Sequence, residues 1–155
     1  MGIEHPKYKV AVVQAAPAWL DLDASIGKSI ALIEEAAKKG AKLIAFPEVF
    51  IPGYPWHIWL DSPAWSIGRG FVQRYFDNSL AYDSPQAEKL RQAVRKAGLT
   101  AVIGLSERDG GRSTASSLRT SRRRRAEHRE RPAAAGVQAA RVMQWASTSG
   151  CAAQI

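Results

Sequence analysis

The sequence predicts an α/β protein built on a parallel sheet. Three observations carry that reading. Short runs rich in Val, Ile and Ala have the near-continuous apolar character of strands buried on both faces. Stretches with apolar residues at helical spacing lie before the second and the third of these runs. Acids, serine–proline and glycine punctuate those stretches where helices start and stop. Strand–helix–strand units of this kind form parallel sheet with right-handed crossovers.

The first strand is read in "YKVAVVQA" (Tyr8 to Ala15). After a turn with Pro17, Asp21 and Asp23 stand ready to cap a helix. Ile26, Ile30, Ile33 and Ala37 form its stripe, Lys38 and Lys39 complement its dipole, and Gly40 suits its C-terminal cap. "AKLIAF" is the second strand. The grammar then repeats. Ser84-Pro85 is a cap followed by proline at the first helical position. Leu90, Val94 and Ala97 make the stripe, Gly98 ends it, and "TAVIGL" (Thr100 to Leu105) is the third strand. Between the units, Pro52 to Tyr82 is irregular and carries Tyr54, Trp56, Trp59, Trp65, Phe71, Tyr75, Phe76 and Tyr82. It reads as a long loop with a short helix, its aromatics either plugging the sheet edge or walling an apolar pocket. His57 lies there without metal-type neighbours and is expected to serve packing or meet solvent.

The 155 residues suffice for one domain with a core, and 46% of them are hydrophobic. No apolar run approaches the roughly 18 residues that span a bilayer, so no membrane partner is expected. The first ten residues lack the apolar stretch of a secretory signal. A single cysteine cannot close an internal disulfide, so a reducing, cytoplasmic compartment is expected.

The net charge of +8 would suggest nucleic acid if it were spread evenly. It is not. Residues 1–111 hold 13 Lys/Arg against 12 Asp/Glu, whereas residues 112–155 hold 9 Arg, no Lys and 2 acids. The second segment is dominated by Ala, Arg and Ser, with no sustained apolar period. It reads as a disordered basic tail joined near Gly110-Gly111, or as sequence out of frame. Arg, Ala, Ser, Pro and Gly without Lys is what a GC-rich gene yields in a shifted frame. A noncatalytic nucleic-acid-binding protein using the Arg-rich tail is the rival reading. The cluster has no interleaved aromatics, and nucleic acid is not the expected partner.

Glu48 stands within "AFPEVFIPGYP" (Ala45 to Pro55), two residues beyond the second strand. Ligands in open α/β sheets gather outside the carboxyl ends of the strands. Pro47 biases Phe46 towards extended geometry, and Pro52, Gly53 and Pro55 stiffen the exit. A restricted backbone is what a positioned general base requires. A glutamate capping a turn would fit the same spacing.

"FPEVFIPGYPWHIW" resembles the first catalytic motif of the nitrilase family, in the carbon–nitrogen hydrolase superfamily. "YKVAVVQAAP" and "VIGLSERDGG" resemble its flanking strands, so residues 1–111 look like the N-terminal portion of such a domain. The resemblance implies part of an α–β–β–α sandwich. It implies hydrolysis of a small-molecule nitrile to a carboxylic acid and ammonia, without metal or organic cofactor. It also implies homo-oligomers, or association with full-length nitrilase subunits. In the family a Glu moves protons, a Lys stabilises developing charge, and a Cys thiolate attacks the nitrile carbon to form a thioimidate.

Only the Glu carries over, onto Glu48 as proton acceptor. The family's Lys follows a strand soon after the Gly-Gly, and its Cys sits in a Cys-Trp-Glu context. No Lys follows Lys96 here, and Cys151 sits in "TSGCAAQI", so it is expected to be inert. Lys89 and Lys96 read as solvent-facing helix charge. An inactive, truncated or frameshifted form is therefore expected. Without the rest of the sandwich, the strands around Val12, Ile44 and Ile103 are expected to leave apolar surface exposed.

Overall fold

A computed structural model describes residues 7–120, 128–130 and 152–154. Cys151 and most of the Arg-rich run lie outside the described residues. The elements run β1 (Val10–Val12), α1 (Leu22–Lys38), β2 (Leu43–Ala45), a 3-10 helix (Trp56–Trp59), α2 (Pro63–Gly68), α3 (Phe71–Asp77), α4 (Pro85–Ala97), β3 (Thr100–Asp109), β4 (Arg112–Thr120), β5 (His128–Glu130) and β6 (Ala152–Gln154). The α/β class expected from the sequence is the class observed.

α1 starts where an aspartate can accept an orphan amide: Asp21 Oδ1 takes the Ala24 N–H at 2.9 Å. It ends in a Schellman motif. Gly40, at φ 81°, donates to Ala37 O, and Ala41 N donates back to Ala36 O. α4 is capped by Ser84 Oγ, which accepts from Ala87 N, has Pro85 in its first turn, and stops at Gly98 with φ 69°. Both helices pack on one face of the sheet and on each other. Ile26, Ile33, Ala36, Ala87, Leu90 and Val94 meet Ala11, Val13, Ile44, Ala101, Ile103 and Leu105 in a single core cluster. Ser25 and Ser29 are buried in the same face of α1, and their hydroxyls are absorbed by Ala18 O and Ser25 O.

The sheet order is β5-β4-β3-β2-β1-β6. β1, β2 and β3 are parallel, with Val10 opposite Leu43 and Leu43 opposite Thr100, as two successive crossovers through α1 and α4 require. β6 adds in parallel beside β1. The sheet is mixed rather than wholly parallel, because β3 turns back into β4 and β5 continues antiparallel.

That hairpin corrects one expectation. The sequence reading begins a disordered tail at residue 112, yet Arg112–Thr120 is a strand paired with β3 along its length, from Asp109 opposite Arg112 to Ala101 opposite Thr120. Gly110-Gly111 forms the two-residue turn, Gly110 at φ 58°. Such turns match strand twist when positive φ is cheap. Pairing uses backbone amides, which a segment poor in apolar residues still supplies. Leu118 and Thr120 enter the core at 1% and 2% exposure. The expectation about exposed strands is half right. Val12 is 39% exposed, and Val10, Leu43, Ala45 and Val102 on its face are half-buried. Ile44 and Ile103 point the other way and are fully buried under α1 and α4.

Removing the Leu118 side chain tests whether β4 belongs to the core. Leu118→Ala should lower stability by about 2–5 kcal/mol, read from the midpoint of urea unfolding. A midpoint within error of the parent would show that residues after Gly111 contribute nothing to the fold.

Candidate active site

Glu48 follows β2 where the chain leaves the sheet and returns to it. Phe46 N still donates to Val102 O at 2.9 Å, and Ile51 rejoins beside Leu105, with Ser106 N donating to Ile51 O at 2.7 Å. The residues between bulge across β3 above Gly104. A Cβ on Gly104 would lie 2.4 Å from Pro47 O, 2.7 Å from Val49 N and 2.9 Å from Glu48 Cα. Gly104 alternates with the buried Ile103 and Leu105, so this crossing lies on the face away from α1 and α4. Glu48 itself is exposed at the rim. Val49 holds φ at 48°, a sterically costly angle for a β-branched residue, and is kept there by burial to 5%.

The loop after β1 clasps this bulge. Leu20, at φ 55° and 2% exposure, donates its N–H to Pro52 O at 2.9 Å. Trp19 Nε1 donates to Tyr54 O at 2.8 Å. Gly53 has φ 107°, and a Cβ there would come within 2.7 Å of Trp19 Cδ1 and 3.1 Å of Pro17 Cγ. Two strained residues in two facing loops are thus fixed by main-chain bonds at the carboxyl ends of neighbouring strands.

The aromatic segment is more helical than expected: a 3-10 helix and two short helices replace a loop with one helix. Trp56 and Trp59 are 60% and 70% exposed, so neither plugs a sheet edge. Tyr54, Trp65, Phe71, Tyr75, Phe76 and Tyr82 are half-buried. His57 serves packing, at 4% exposure. Its Nδ1 is 2.8 Å from Ser66 Oγ, its ring lies parallel to Phe71 at 5.8 Å, and Tyr75 meets it edge-on at 5.7 Å. Nε2 has no hydrogen-bond partner among the described residues. Burial holds His57 below the ordinary imidazole value, so the neutral ring is favoured.

Sequence reasoning passed over a serine cluster beside this segment. Ser79 Oγ lies 2.9 Å from Tyr75 O, 3.0 Å from Ser106 Oγ and 3.1 Å from Ser113 Oγ. Burial pushes the Tyr75 phenol up, and its hydrogen bond with Ser106 offsets this only in part. Glu107, 1% exposed, is a second carboxylate that was not singled out. Strict alternation along β3 from Ile103 and Leu105 flags Glu107 as a candidate for burial, whereas Ser106, on the face of Gly104, is buried against that pattern.

Lys89 and Lys96 are exposed on α4, on the opposite face of the sheet from Glu48. Neither is placed to assist it. A shallow groove of about 280 Å³ between α1 and α4, lined by Glu34, Ala37, Lys38, Ala93, Lys96 and Ala97, lies on that same far face. Among the described residues, no group of three or more His, Cys, Asp and Glu side chains could hold a metal, and no helix is long and apolar enough to cross a membrane.

Residues 9–126 match the family model described as Carbon-nitrogen hydrolase. An aliphatic nitrilase of Rhodococcus rhodochrous is 51% identical over 104 residues, covering 67% of this chain and 28% of the relative. A nitrilase of Pseudomonas syringae is 57% identical over 101 residues, 65% of this chain and 30% of the relative. The chain thus spans less than a third of the length of the curated relatives it matches. In three dimensions it is similar to an amidase of Nesterenkonia (TM-score 0.52, 20% identity, 77% of this chain and 40% of that one). It is also similar to a CN-hydrolase superfamily protein of Xanthomonas campestris (TM-score 0.54, 18% identity, 74% and 37%). These two likenesses concern the fold.

Two predictions follow the geometry. Gly104→Ala should cost about 1–3 kcal/mol, because the atoms its Cβ meets are backbone and cannot swing aside; an unchanged denaturation midpoint would mean the crossing is not fixed. For His57 the folded-state value lies below the unfolded one, so the unfolded chain binds more protons on acidification. Its contribution is complete above the ordinary imidazole value of 6.5 and is lost as pH falls below it. Stability measured by denaturant between pH 7.5 and 5 should therefore fall more steeply for the parent than for His57→Gln, and equal slopes would contradict this.

Proposed function

The chain belongs to the carbon–nitrogen hydrolase family, and on that premise we propose that Glu48 is the proton acceptor of a nitrilase-type hydrolysis, converting a nitrile to a carboxylic acid and ammonia. The observation that supports this most is the fixed crossing above Gly104. It presents an exposed carboxylate at the strand ends from a backbone that cannot slide. In such a reaction Glu48 takes the proton of an attacking thiol and later that of the water which releases the acid.

The 155 residues alone are, in this reading, inactive. Lys89 and Lys96 are on the wrong face, and no later lysine precedes Cys151. The cationic and nucleophilic groups would come from residues restored in frame after Gly111, or from an intact subunit with which this chain associates. We attribute the change of composition at residues 111 and 112 to a shifted reading frame. The stretch of β4 survives that change because strand pairing asks little of side chains. A cytoplasmic setting and self-association complete the proposal. The single cysteine supports the first, and the apolar surface left exposed supports the second.

Ammonia release from aliphatic and aromatic nitriles provides the test. The present chain and its Glu48→Gln variant should give the same background. The chain with its frame restored should turn over nitrile, and Glu48→Gln should lower that rate by about 10²–10⁴-fold. Turnover by the present chain above its Glu48→Gln control would refute the inactive reading. Undiminished turnover by the restored chain carrying Glu48→Gln would remove Glu48 from the chemistry. Sequencing the codons for Asp109 to Ser117 decides the frame directly.

A further inference from the structure

Phe71 is the hub of the aromatic segment. The His57 ring lies parallel to it with centroids 5.8 Å apart, Trp65 is tilted on it at 5.6 Å, and Trp19 reaches it from the loop after β1 at 5.9 Å. The same Trp19 bonds Tyr54 O and fills the space that a Cβ on Gly53 would need. Packing around Phe71 is thus continuous with the bridge that carries Glu48. His57 supplies the cross-link within the segment. Its Nδ1 and Ser66 Oγ, 2.8 Å apart, tie the 3-10 helix to α2, and its ring contacts with Phe71 and Tyr75 tie both to α3. Little else holds these helices down: His57 is the one buried residue of the 3-10 helix, Ser66 is the one buried residue of α2, and α3 has none. The two ends of the segment are clamped independently, Tyr54 O by Trp19 Nε1 and Leu80 N by Ser106 O.

We propose that the His57–Ser66 pair is a proton-operated latch: protonation of His57 frees the 3-10 helix, α2 and α3 as a flap between those clamps, while the sheet with α1 and α4 stays folded. A neutral imidazole suits the site, with one nitrogen at Ser66 and the other without a polar partner among the described residues. An imidazolium carries a proton on each nitrogen, and at 4% exposure Nε2–H would be buried with no acceptor. Phe71 offers the cation only a ring face, a weaker return than the hydration recovered by opening. The charged neighbours do not offset that loss. Tyr75 meets the ring, but burial pushes its phenol up, so it stays uncharged in this range. Asp61 accepts from Ser62 N, Asp77 accepts from Gln73 Nε2, Arg69 lies over the Trp65 ring, and Arg74 is exposed. Burial is what holds the His57 value low, and no carboxylate raises it. The flap is therefore closed above the ordinary imidazole value of 6.5 and opens as pH falls below it. Opening withdraws Phe71 from Trp19 and so loosens the clasp on the Glu48 bridge.

Amide hydrogen exchange of the full chain, corrected for intrinsic rates, tests the latch without recourse to turnover, so its failure leaves the role of Glu48 untouched. Between pH 7.5 and 5, opening of the amides from Ile58 to Asn78 should rise about threefold or more, with about thirtyfold as the ceiling for a ring that titrates at 6.5 once released. The amides of α1 and α4 should rise less. His57→Gln cannot titrate, so its segment should be protected equally at both pH values. Where that variant is already open at pH 7.5, the parent decides the matter: the His57 ring proton, followed by NMR, should titrate below 6.5. A rise shared equally by α1 and α4 overturns the latch. So does a rise retained in His57→Gln, or a His57 ring that titrates at or above 6.5.

Discussion

The rim of this protein depends on one missing atom. Because residue 104 has no Cβ, the backbone from Pro47 to Val49 can lie directly on β3, and the detour after β2 becomes a short, rigid bridge instead of a free loop. Everything else at the strand ends is arranged around that contact. Ile51 rejoins the sheet at Leu105, Val49 takes up the turn at positive φ, and Leu20 and Trp19 bond to the far side of the bridge. The strain at Val49 and Leu20, of order 1–3 kcal/mol each, is offset by burying both side chains.

The two faces of the sheet divide the work. Against α1 and α4, the strands bury Ile44, Ile103 and Leu105 completely, and this side supplies the core on which cooperative folding rests. The other face carries the bridge, the aromatic helices and the exposed acid. That separation explains why the lysines of α4, though near in sequence to β3, have no part in the chemistry proposed for Glu48.

What could be read in advance followed from local rules. Asp21, Gly40, Ser84-Pro85 and Gly98 are helix boundary signals whose meaning is fixed by backbone hydrogen bonding, and the helices begin and end there. The position of Glu48 past β2 was equally legible, because "FPEVFIPGYP" joins an apolar run to a chain of turn formers. Other features needed contacts distant in sequence. The role of Gly104 shows only when Pro47 lies over it, and the serine cluster draws on Ser79 from the loop after α3, Ser106 from β3 and Ser113 from β4. β4 was missed for a different reason. Its composition is too polar to read as a strand, and Asp-Gly-Gly after a β run is the one local signal of the hairpin.

The Gly110-Gly111 turn makes the protein indifferent to what is written after it, up to a point. Once β3 offers a free edge and a two-residue turn reverses the chain, the next residues are recruited by their main chain, whatever the codons spell. Known side-chain demands arise where a residue faces the core, as Leu118 and Thr120 do, or the serine cluster, as Ser113 does. Such a junction would tolerate replacement of the strand that follows it, provided that the few inward-facing positions suit the core. The sheet thus continues across the change in composition after Gly111, which is visible in charge and residue type rather than in backbone geometry.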